Sequence, residues 1–430
     1  MLSPEENELV THVGPGTPMG QVLRRYWMPA ALSEELPERD GTPVRVRLLG
    51  ERLIAYRDSE GRVGLLGEAC PHRQASLWLG RNEESGLRCV YHGWKFDLNG
   101  DCVDMPCETP ETDFHEKVHA MAYPTVEAGG VIWAFMGPAE YQPPPPNFEW
   151  AMAPETHRYV TKTWQECNWL QALEGGVDSA HSSFLHRALG KAVPGGGLSG
   201  TGYRARSGAP KIEVRTTDWG YTYASIRPLG EEGDYVRVYH YVMPFHQIRA
   251  AQMQDSAGWR PLIAGHAWVP MDDQNCMSFN WRYHFGEEPL NDGPELLSYS
   301  GGGNEDHMSN FRKIRNIDND WMIDRQAQKT KTFTGIEGIN TQDHAVQESM
   351  GPIVDRSQEH LGSIDRAIIA TRRLLLQAVK TVEDGGSPPA ANDSYYRIRA
   401  LERLLPAGTA WWEAMAPDLL GEREPVAAAG

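Results

Sequence analysis

Cysteine is scarce in this sequence, with six residues in a chain of 430. They are Cys70, Cys89, Cys102, Cys107, Cys167 and Cys276. Small disulfide-stabilised proteins use cysteine at a much higher density, so a disulfide scaffold is excluded. In a reducing compartment, cysteines are more often buried, metal-bound or catalytic, and their spacing to histidine indicates which role they have.

Basic residues and long apolar runs are also few. The chain has 41 Lys and Arg against 58 Asp and Glu, a formal net charge of −17, so a nucleic acid partner is not expected. It contains no run of about 18 apolar residues, the length that a membrane-spanning helix needs. The start, MLSPEENELV, lacks the basic and apolar regions of a signal peptide. Together these absences predict a cytoplasmic protein.

The length of the chain allows two or more domains, and the pattern changes along it. Residues 44–135 contain short runs of β-branched and aromatic residues bounded by turn residues, which predicts a small antiparallel β domain. The proline run at 142–148 predicts a connector. Residues 235–285 return to strand-like runs, in part with the alternation of a half-buried antiparallel strand. Helical spacing marks residues 164–190 and 363–382.

The first cluster of chemically active residues is Cys70, His72, Cys89 and His92. The pattern is C-x-H, sixteen residues, then C-x2-H. Two thiolates and two imidazoles suit a zinc ion, or a [2Fe–2S] cluster with two Cys on one iron and two His on the other. Each short loop offers one Cys and one His, so two opposed loops can hold both irons. This split favours the iron–sulfur cluster over zinc.

The second cluster lies in EGGVDSAHSSFLH, residues 174–186. On a helix, Glu174, Asp178 and His181 fall within an arc of roughly 60°. His186 lies about 140° from His181 on a regular helix, so the two imidazoles meet only if the helix widens into a π-type turn or loosens near Ser182-Ser183. Two imidazoles and a carboxylate form the facial triad of non-haem Fe(II) oxygenases. The alternative is a surface helix with scattered polar residues.

Both clusters resemble those of one known family. C-P-H-R followed by C-x-Y-H-G-W-x-F resembles the Rieske signature, and E-x3-D-x2-H-x4-H resembles the mononuclear-iron motif of Rieske non-haem iron oxygenases. These are the α subunits of aromatic ring-hydroxylating systems. The resemblance implies that His181 and His186 bind iron. It also implies that Asp178 is a bridge, which links a metal histidine to a Rieske histidine across a subunit boundary.

In such proteins the third iron ligand lies far downstream. The candidate acids are Asp318, Asp320, Asp324, Asp343 and Glu348. The stretch GINTQDHAVQESMGPI resembles the corresponding stretch of the phthalate dioxygenase-like branch, which favours Asp343. The alternative is that Asp343 merely caps the helix that starts nearby.

The resemblance implies an α+β architecture. We expect an N-terminal segment at 1–39 that packs on the catalytic domain, an all-β Rieske [2Fe–2S] domain at 40–145, and a catalytic mononuclear iron domain at 146–430, with a curved antiparallel sheet flanked by helices. It further implies a homotrimer or a dimer of trimers, and an NAD(P)H-dependent reductase with flavin or iron–sulfur centres. O2 would then be used to hydroxylate an aromatic substrate at the Fe(II).

The motifs predict O2 at an Fe(II) ion as the oxidant, but they do not identify the substrate. An aromatic acid needs a cation, and arginine binds a carboxylate through two hydrogen bonds. Candidates are Arg204, Arg206, Arg237 and Arg249, although each is by default a solvated surface residue. We further expect a pocket walled by Trp268 and Trp281 and lined by the strand histidines His240, His246, His266 and His284, although each of these is by default a core or surface residue. The alternatives are O-demethylation of methoxylated aromatic acids, a Rieske electron carrier without catalysis, and a zinc-binding structural protein.

Overall fold

The computed structural model describes most of the chain. The described residues are 1–189, 203–204, 206–250, 253–255, 258–260, 262–284, 286, 289–290, 306–391 and 398–420. Helical and strand regions both occur, with the helices mainly outside residues 27–135, so the α+β prediction is confirmed. The part of the chain that the structure describes contains no helix of sufficient length and apolarity to span a bilayer.

The N-terminal third contains three small antiparallel sheets. Their strands are β1 (Trp27–Leu32), β2 (Val44–Leu48), β3 (Glu51–Arg57), β4 (Val63–Gly67), β5 (Arg81–Glu83), β6 (Gly86–Arg88), β7 (Lys95–Phe96), β8 (Cys102–Asp104), β9 (Thr125–Ala128) and β10 (Val131–Phe135). The strand orders are β2-β3-β4, β5-β6-β7-β8 and β1-β10-β9. Buried Ile54, Leu77, Leu87 and Phe96 form an apolar core between the first two sheets. The predicted small β domain is therefore present.

A large antiparallel sheet dominates the rest of the molecule. Its strands are β11 (Arg158–Gln165), β12 (Lys211–Thr217), β13 (Gly220–Pro228), β14 (Asp234–Val242), β15 (His246–Ala250), and, after a small hairpin of β16 (Met253–Asp255) and β17 (Gly258–Arg260), β18 (Leu262–Pro270), β19 (Cys276–His284) and β20 (Glu402–Leu405). The order is β11-β19-β18-β15-β14-β13-β12, and β20 pairs with β14. In β19 the predicted alternation is present over residues 279–283 but not at the strand ends, where Ser278 and His284 are buried and Met277 is half-buried.

Helices cover this sheet and connect it to the N-terminus. They are α1 (Pro4–Thr11), α2 (Pro18–Leu23), α3 (Glu149–Met152), α4 (Trp169–Val177), α5 (Arg325–Thr330), α6 (Ile339–Glu348), α7 (Arg366–Glu383) and α8 (Trp411–Leu419). The amphipathic α7 packs against α1 and α2, and α4 contacts β18, α6 and α7. The N-terminal helices therefore lie on the helical layer of the large sheet, whereas β1 joins the sheet of β9 and β10. The boundaries at 39/40 and 145/146 stay a prediction.

The predicted continuous helix over 164–190 is wrong. Strand β11 runs to Gln165, α4 ends at Val177, and a short 3₁₀ helix follows at His181–Ser183. Asp178 ends α4 because its carboxylate accepts hydrogen bonds from the backbone N–H of Ala180 at 2.7 Å and of His181 at 3.2 Å. Short polar side chains compete with helix hydrogen bonds in this way.

Two glycines bring α4 close to its neighbours. A Cβ on Gly175 would lie 1.9 Å from Nε2 of Gln347 in α6, and one on Gly176 would lie 1.9 Å from the Trp268 ring of β18. Any larger residue would push α4 away from the sheet and from α6. The end of α4 is therefore held beside the helix that carries Asp343.

Candidate metal centres and substrate cavity

Two tight loops hold the first cluster of Cys and His. One loop is closed by hydrogen bonds from Cys70 N to Ala75 O and from Gln74 N to Cys70 O. The other loop repeats this pattern, with bonds from Cys89 N to Trp94 O and from Gly93 N to Cys89 O. Gly93 has a φ of +78°, and a Cβ there would lie 2.6 Å from Cγ of Pro106, so glycine is required.

The side chains on these loops meet as the spacing predicts. Cys70 and Cys89 are 1% and 3% exposed, whereas His72 lies at the surface and His92 is half-buried. The His72 and His92 rings are 4.5 Å apart, and His72 stacks on Trp94 at 4.3 Å. The two sulfurs lie in the core, and the imidazoles lie on the outer side.

The protein groups present fit a [2Fe–2S] cluster. Burial, with the nearby Cys89 adding to it, raises the pKa of the Cys70 thiol to about 11, so a stable thiolate at Cys70 requires a bound cation. Nδ1 of His92 is buried and has no hydrogen-bond partner among the described residues. A buried ring nitrogen without a partner is costly unless it binds a ligand. Two thiols and two imidazoles in opposed loops are the Rieske donor set.

The second cluster forms where α4 ends against α6. His181, the first residue of the 3₁₀ turn, and His186, which follows that turn, direct their Nε2 atoms at Asp343 Oδ1, each at a distance of 3.4 Å. The three ligand atoms lie within 4.8 Å of one another. The early end of α4 brings the two rings together, so the π-type turn is not needed. Asp343 lies within α6, whose N-cap is Gly338, so the helix-cap interpretation of Asp343 is wrong.

Neighbouring side chains hold both imidazoles in the tautomer that binds metal. Nδ1 of His186 donates to Gln342 Oε1 at 2.8 Å, and Gln342 Nε2 is fixed by Ile336 O. Nδ1 of His181 lies 3.4 Å from Asp178 Oδ2. A hydrogen bond at Nδ1 leaves the Nε2 lone pair for the metal. Sequence reasoning missed Gln342, although its position beside Asp343 was a usable signal.

The carboxylates in and beside this cluster are ionised, which suits a bound cation. Burial opposes ionisation of Asp343, but the two nearby imidazoles hold the pKa of its carboxyl below its usual range. Burial also opposes ionisation of Asp178, and its hydrogen bond with His181 outweighs this and lowers its pKa. Both carboxylates are therefore anionic at neutral pH. An open set of two imidazoles and one carboxylate fits a mononuclear Fe(II).

Glu174, which the helical projection grouped with Asp178, lies outside this cluster. Its buried carboxylate accepts from Arg356 at 3.0 Å and from Arg372 at 2.6 Å. The two arginines come from the segment after α6 and from α7. This buried ion-pair network ties α4 to the C-terminal helices, and so supports the site from behind without touching it.

The other candidate acids have partners elsewhere. Asp318 pairs with Arg312 at 2.6 Å, and Asp324 caps α5. Asp320 has positive φ in an irregular turn. Glu348 accepts from Trp321 Nε1 at 2.7 Å and from the backbone N–H of Glu166 at 3.2 Å. Only Asp343, among these five described residues, joins the two histidines.

Glu348 carries a testable consequence for stability. Burial, as the main cause, raises its pKa from 4.5 to about 7. The folded state therefore binds the carboxyl proton of Glu348 more tightly than the unfolded state does. The stability that this proton binding adds to the folded state is lost as pH rises from 4.5 through 7. We expect the effect of Glu348→Gln on the unfolding free energy to be more favourable at pH 8 than at pH 5 by up to about 3 kcal/mol. The hydrogen bond from Trp321 or Glu166 that the amide nitrogen cannot accept adds a cost that is the same at both pH values.

Thermal melting at pH 5 and pH 8 checks this expectation. The matched control is Glu337→Gln, because Glu337 is a surface residue paired with Arg315. A melting difference for Glu348→Gln that is equal at both pH values would contradict the expectation.

A cavity opens near the second cluster, since two of its lining residues, Arg249 and His266, interact electrostatically with Asp343. Its lining includes Arg249, His266, Asn280, Trp281, Arg282 and Asn340. Asn340 lies one helical turn before Asp343 on α6, so the two side chains share a face. Of the predicted lining residues, His266 and Trp281 line this cavity, whereas His240, His246 and His284 do not. Trp268, predicted as a second wall, packs beside Gly176 instead.

The four candidate arginines occupy different environments. Arg206 forms a surface ion pair with Glu232, and Arg204 lies 3.8 Å from Glu402. Arg237 is also close to Glu402, at 3.4 Å. Arg249 reaches the cavity and contacts His266. Burial and then repulsion by Arg237 and Arg282 lower the pKa of Arg249 to about 9.

Comparisons with known proteins agree with both centres. Residues 26–124 match the family model of the Rieske [2Fe-2S] domain, and residues 134–425 match that of the LigXa C-terminal domain like family. The chain is 39% identical to the 3-chlorobenzoate-3,4-dioxygenase oxygenase subunit of Comamonas testosteroni, over 96% of this chain and 97% of the relative.

Two further relatives align with nearly as much of this chain. The phthalate 4,5-dioxygenase oxygenase subunit of Pseudomonas putida is 40% identical over 90% of this chain and 88% of its own. The 5,5'-dehydrodivanillate O-demethylase oxygenase subunit of Sphingobium sp. is 32% identical over 98% and 90%. Oxygenase subunits of this kind carry a Rieske cluster and a mononuclear iron. The chain therefore belongs to the Rieske non-haem iron oxygenases, as an oxygenase α subunit of the phthalate dioxygenase-like branch.

Proposed function

We propose that this oxygenase subunit oxidises an aromatic carboxylate with O2 at an Fe(II) ion bound by His181, His186 and Asp343. Its [2Fe–2S] cluster would be bound by Cys70, His72, Cys89 and His92. The observation that carries the proposal is the convergence of the three candidate ligand atoms within 4.8 Å, near a cavity lined by the half-buried Arg249. When bound, the iron supplies a site for O2 activation, with electrons delivered one at a time by the cluster.

The protein side chains orient the ligands and the substrate. Gln342 and Asp178 direct the Nε2 atoms of the two histidines at the metal. In the cavity, the Trp281 ring offers an apolar wall and Arg249 offers a cation. A guanidinium in a partly desolvated site forms strong, directional hydrogen bonds with a carboxylate. The names of two relatives, a 3-chlorobenzoate and a phthalate dioxygenase subunit, support an aromatic acid as substrate.

We infer a homotrimer, or a dimer of trimers, in which Asp178 connects His181 to a Rieske histidine of a neighbouring subunit. Val90 and Tyr91, next to His92, are 54% and 53% exposed, and Phe184, between the two iron histidines, is 50% exposed. Exposed apolar side chains beside both centres support an interface there. Asp178 retains a partly exposed carboxylate, with a side-chain exposure of 20%, which can accept from a further donor.

The electrons would come from a separate NAD(P)H-dependent reductase with flavin or iron–sulfur centres. We also propose a cytoplasmic location. All six cysteines are free, as expected in a reducing compartment.

The reaction is tested by reconstituting the protein with iron and a reductase and measuring NADH oxidation with a panel of aromatic acids under ¹⁸O2. We expect one acid to accelerate NADH oxidation and to gain ¹⁸O on a ring carbon. The O-demethylase relative supports a second candidate function, in which a methoxylated aromatic acid releases formaldehyde. An electron carrier without its own catalysis would oxidise no acid and would hold no mononuclear iron, which would contradict both candidates.

The substrate role of Arg249 is tested by Arg249→Gln. Loss of a charge-assisted hydrogen bond to the carboxylate is expected to raise KM about 10–100-fold, with the iron content unchanged. Arg206→Gln is the matched control, because Arg206 pairs with Glu232 at the surface. Equal KM values for Arg249→Gln and the unaltered protein would contradict the assignment.

A further inference from the structure

Arg249 is held in an unusual way for an arginine in this part of the sheet. Among the described residues, its one hydrogen-bond acceptor is Nε2 of His266 on the neighbouring strand β18. It forms no ion pair with a described carboxylate. Arg204 and Arg237, in contrast, lie close to Glu402. Arg249 is half-buried, and charges that are withdrawn from water are usually paired with the opposite charge, so an arginine held by a neutral ring requires an explanation.

A chain of hydrogen bonds makes His266 an acceptor. Its Nδ1 lies 2.6 Å from Asn280 Oδ1, and an amide oxygen can only accept, so Nδ1 carries the proton. Ser278 Oγ donates to the same amide oxygen at 3.0 Å, while Asn280 Nδ2 donates to Ser278 O at 3.3 Å, which fixes the orientation of the amide. Nε2 of His266 therefore presents its lone pair to Arg249. His266 and Asn280 are direct cross-strand partners in the β18–β19 register.

A comparison with Arg227 indicates that the guanidinium of Arg249 has hydrogen-bond donors left for a ligand. Arg227 is buried and forms no ion pair with a carboxylate among the described residues. Its three guanidinium nitrogens donate instead to Ser207 O, Ser225 Oγ and Ser179 O. Its hydrogen bonds are thus satisfied within the protein. Arg249 uses one nitrogen on His266, and Arg249 lines the cavity.

We propose that His266 and Asn280 are positioning residues that orient Arg249 without neutralising it, so that the cavity selects a carboxylate over an uncharged group of the same shape. This rests on the proposed function, because it concerns the aromatic acid bound beside the iron. A glutamate or aspartate at position 266 would also orient the guanidinium, but it would cancel the charge that attracts the substrate. A neutral imidazole supplies the same geometry and leaves the positive charge to the ligand.

The selectivity is measured by calorimetric titration of the iron-loaded, cluster-containing protein. The probes are benzoate, 3-chlorobenzoate and phthalate, each compared with its carboxamide. We expect the unaltered protein to bind at least one acid about 10–100-fold more tightly than its amide. His266→Glu should reduce this ratio to near one, and His266→Leu should reduce it several-fold because Arg249 loses its support. His266→Gln keeps a neutral acceptor and should restore most of the preference.

The outcomes separate this inference from the proposed substrate class. If the unaltered protein shows no preference for any acid, the aromatic carboxylate proposal fails. If it prefers an acid, and Arg249→Gln loses the preference while His266→Glu and His266→Leu both retain it, the positioning role of His266 is overturned and the substrate proposal stands. Iron content and circular dichroism identify a misfolded variant. If His266→Glu misfolds, His266→Leu against His266→Gln decides the question, because a general packing defect would not be rescued by a polar side chain.

Discussion

Asp343→Ala is expected to remove the mononuclear iron and to lower turnover more than about 100-fold, while the [2Fe–2S] cluster remains. The carboxylate is the one anionic ligand in the set, and its oxygen lies 3.4 Å from Nε2 of both histidines. Two neutral imidazoles alone bind Fe(II) weakly in competition with water. The cluster ligands lie on separate loops in a separate hydrophobic core, so they should be unaffected. Iron and acid-labile sulfide are measured on the same sample, with turnover assayed in parallel.

Asp318→Ala is the matched control for this variant, because Asp318 was an alternative candidate ligand and pairs with Arg312 at the surface. It should retain the iron content and turnover of the unaltered protein. If Asp343→Ala kept its mononuclear iron, the ligand assignment would move to another acid.

Asp178→Asn is expected to keep both metal centres and to lower turnover by about 100-fold or more, because the path between them is weakened. An amide oxygen can still accept from the backbone N–H of Ala180, so the turn after α4 should survive. The amide lacks the negative charge that supports a proton shared between two imidazoles. The cluster is reduced with one electron equivalent, and its reoxidation in the presence of substrate and O2 is followed by absorbance.

A slow reoxidation with normal iron and sulfide content supports the bridging role of Asp178. Loss of iron would instead show that Asp178 acts mainly by orienting His181, which its Oδ2 contacts at 3.4 Å. Turnover near that of the unaltered protein would contradict both roles. Asp318→Asn serves as the control, because it makes the same chemical change outside both centres.

The grouping of the four candidate cluster residues could be predicted from the sequence because these residues are close together in the chain. Each loop contributes one Cys and one His within four residues, and the hydrogen bonds that close the loop, such as Cys89 N to Trp94 O, form over the same short distance. The long helix α7 and the alternation in β19 were also predictable, because burial on one face imposes a regular period. Such features need little knowledge of distant parts of the chain.

The geometry of the iron site depends on contacts that a helical projection ignores. The projection assumed one helix through residues 164–190, whereas Asp178 itself ends α4 by accepting backbone hydrogen bonds. Gly175-Gly176 and Asp178 together were a usable signal for a helix end, since glycine destabilises helices and aspartate competes for backbone donors. Asp343 was identified by resemblance, because spacing alone cannot show which distant acid meets the histidines.

The candidate substrate arginines show a second limit of prediction from sequence. Arg204, Arg206, Arg237 and Arg249 are equivalent as letters in a sequence, and their roles depend on which acids lie nearby in the fold. Glu402 lies near two of them, Glu232 neutralises a third, and His266 supports the fourth. None of these partners is adjacent in sequence to its arginine, so the charge that remains in the cavity is a property of the tertiary structure.

The central claim is that one chain holds a [2Fe–2S] cluster and a separate mononuclear iron. The most direct test is the ratio of iron to acid-labile sulfide in protein reconstituted with Fe(II) under anaerobic conditions. The account predicts about three irons and about two sulfides per chain, with one iron lost in Asp343→Ala. A ratio of two irons to two sulfides in the reconstituted protein, or the absence of sulfide, would contradict it.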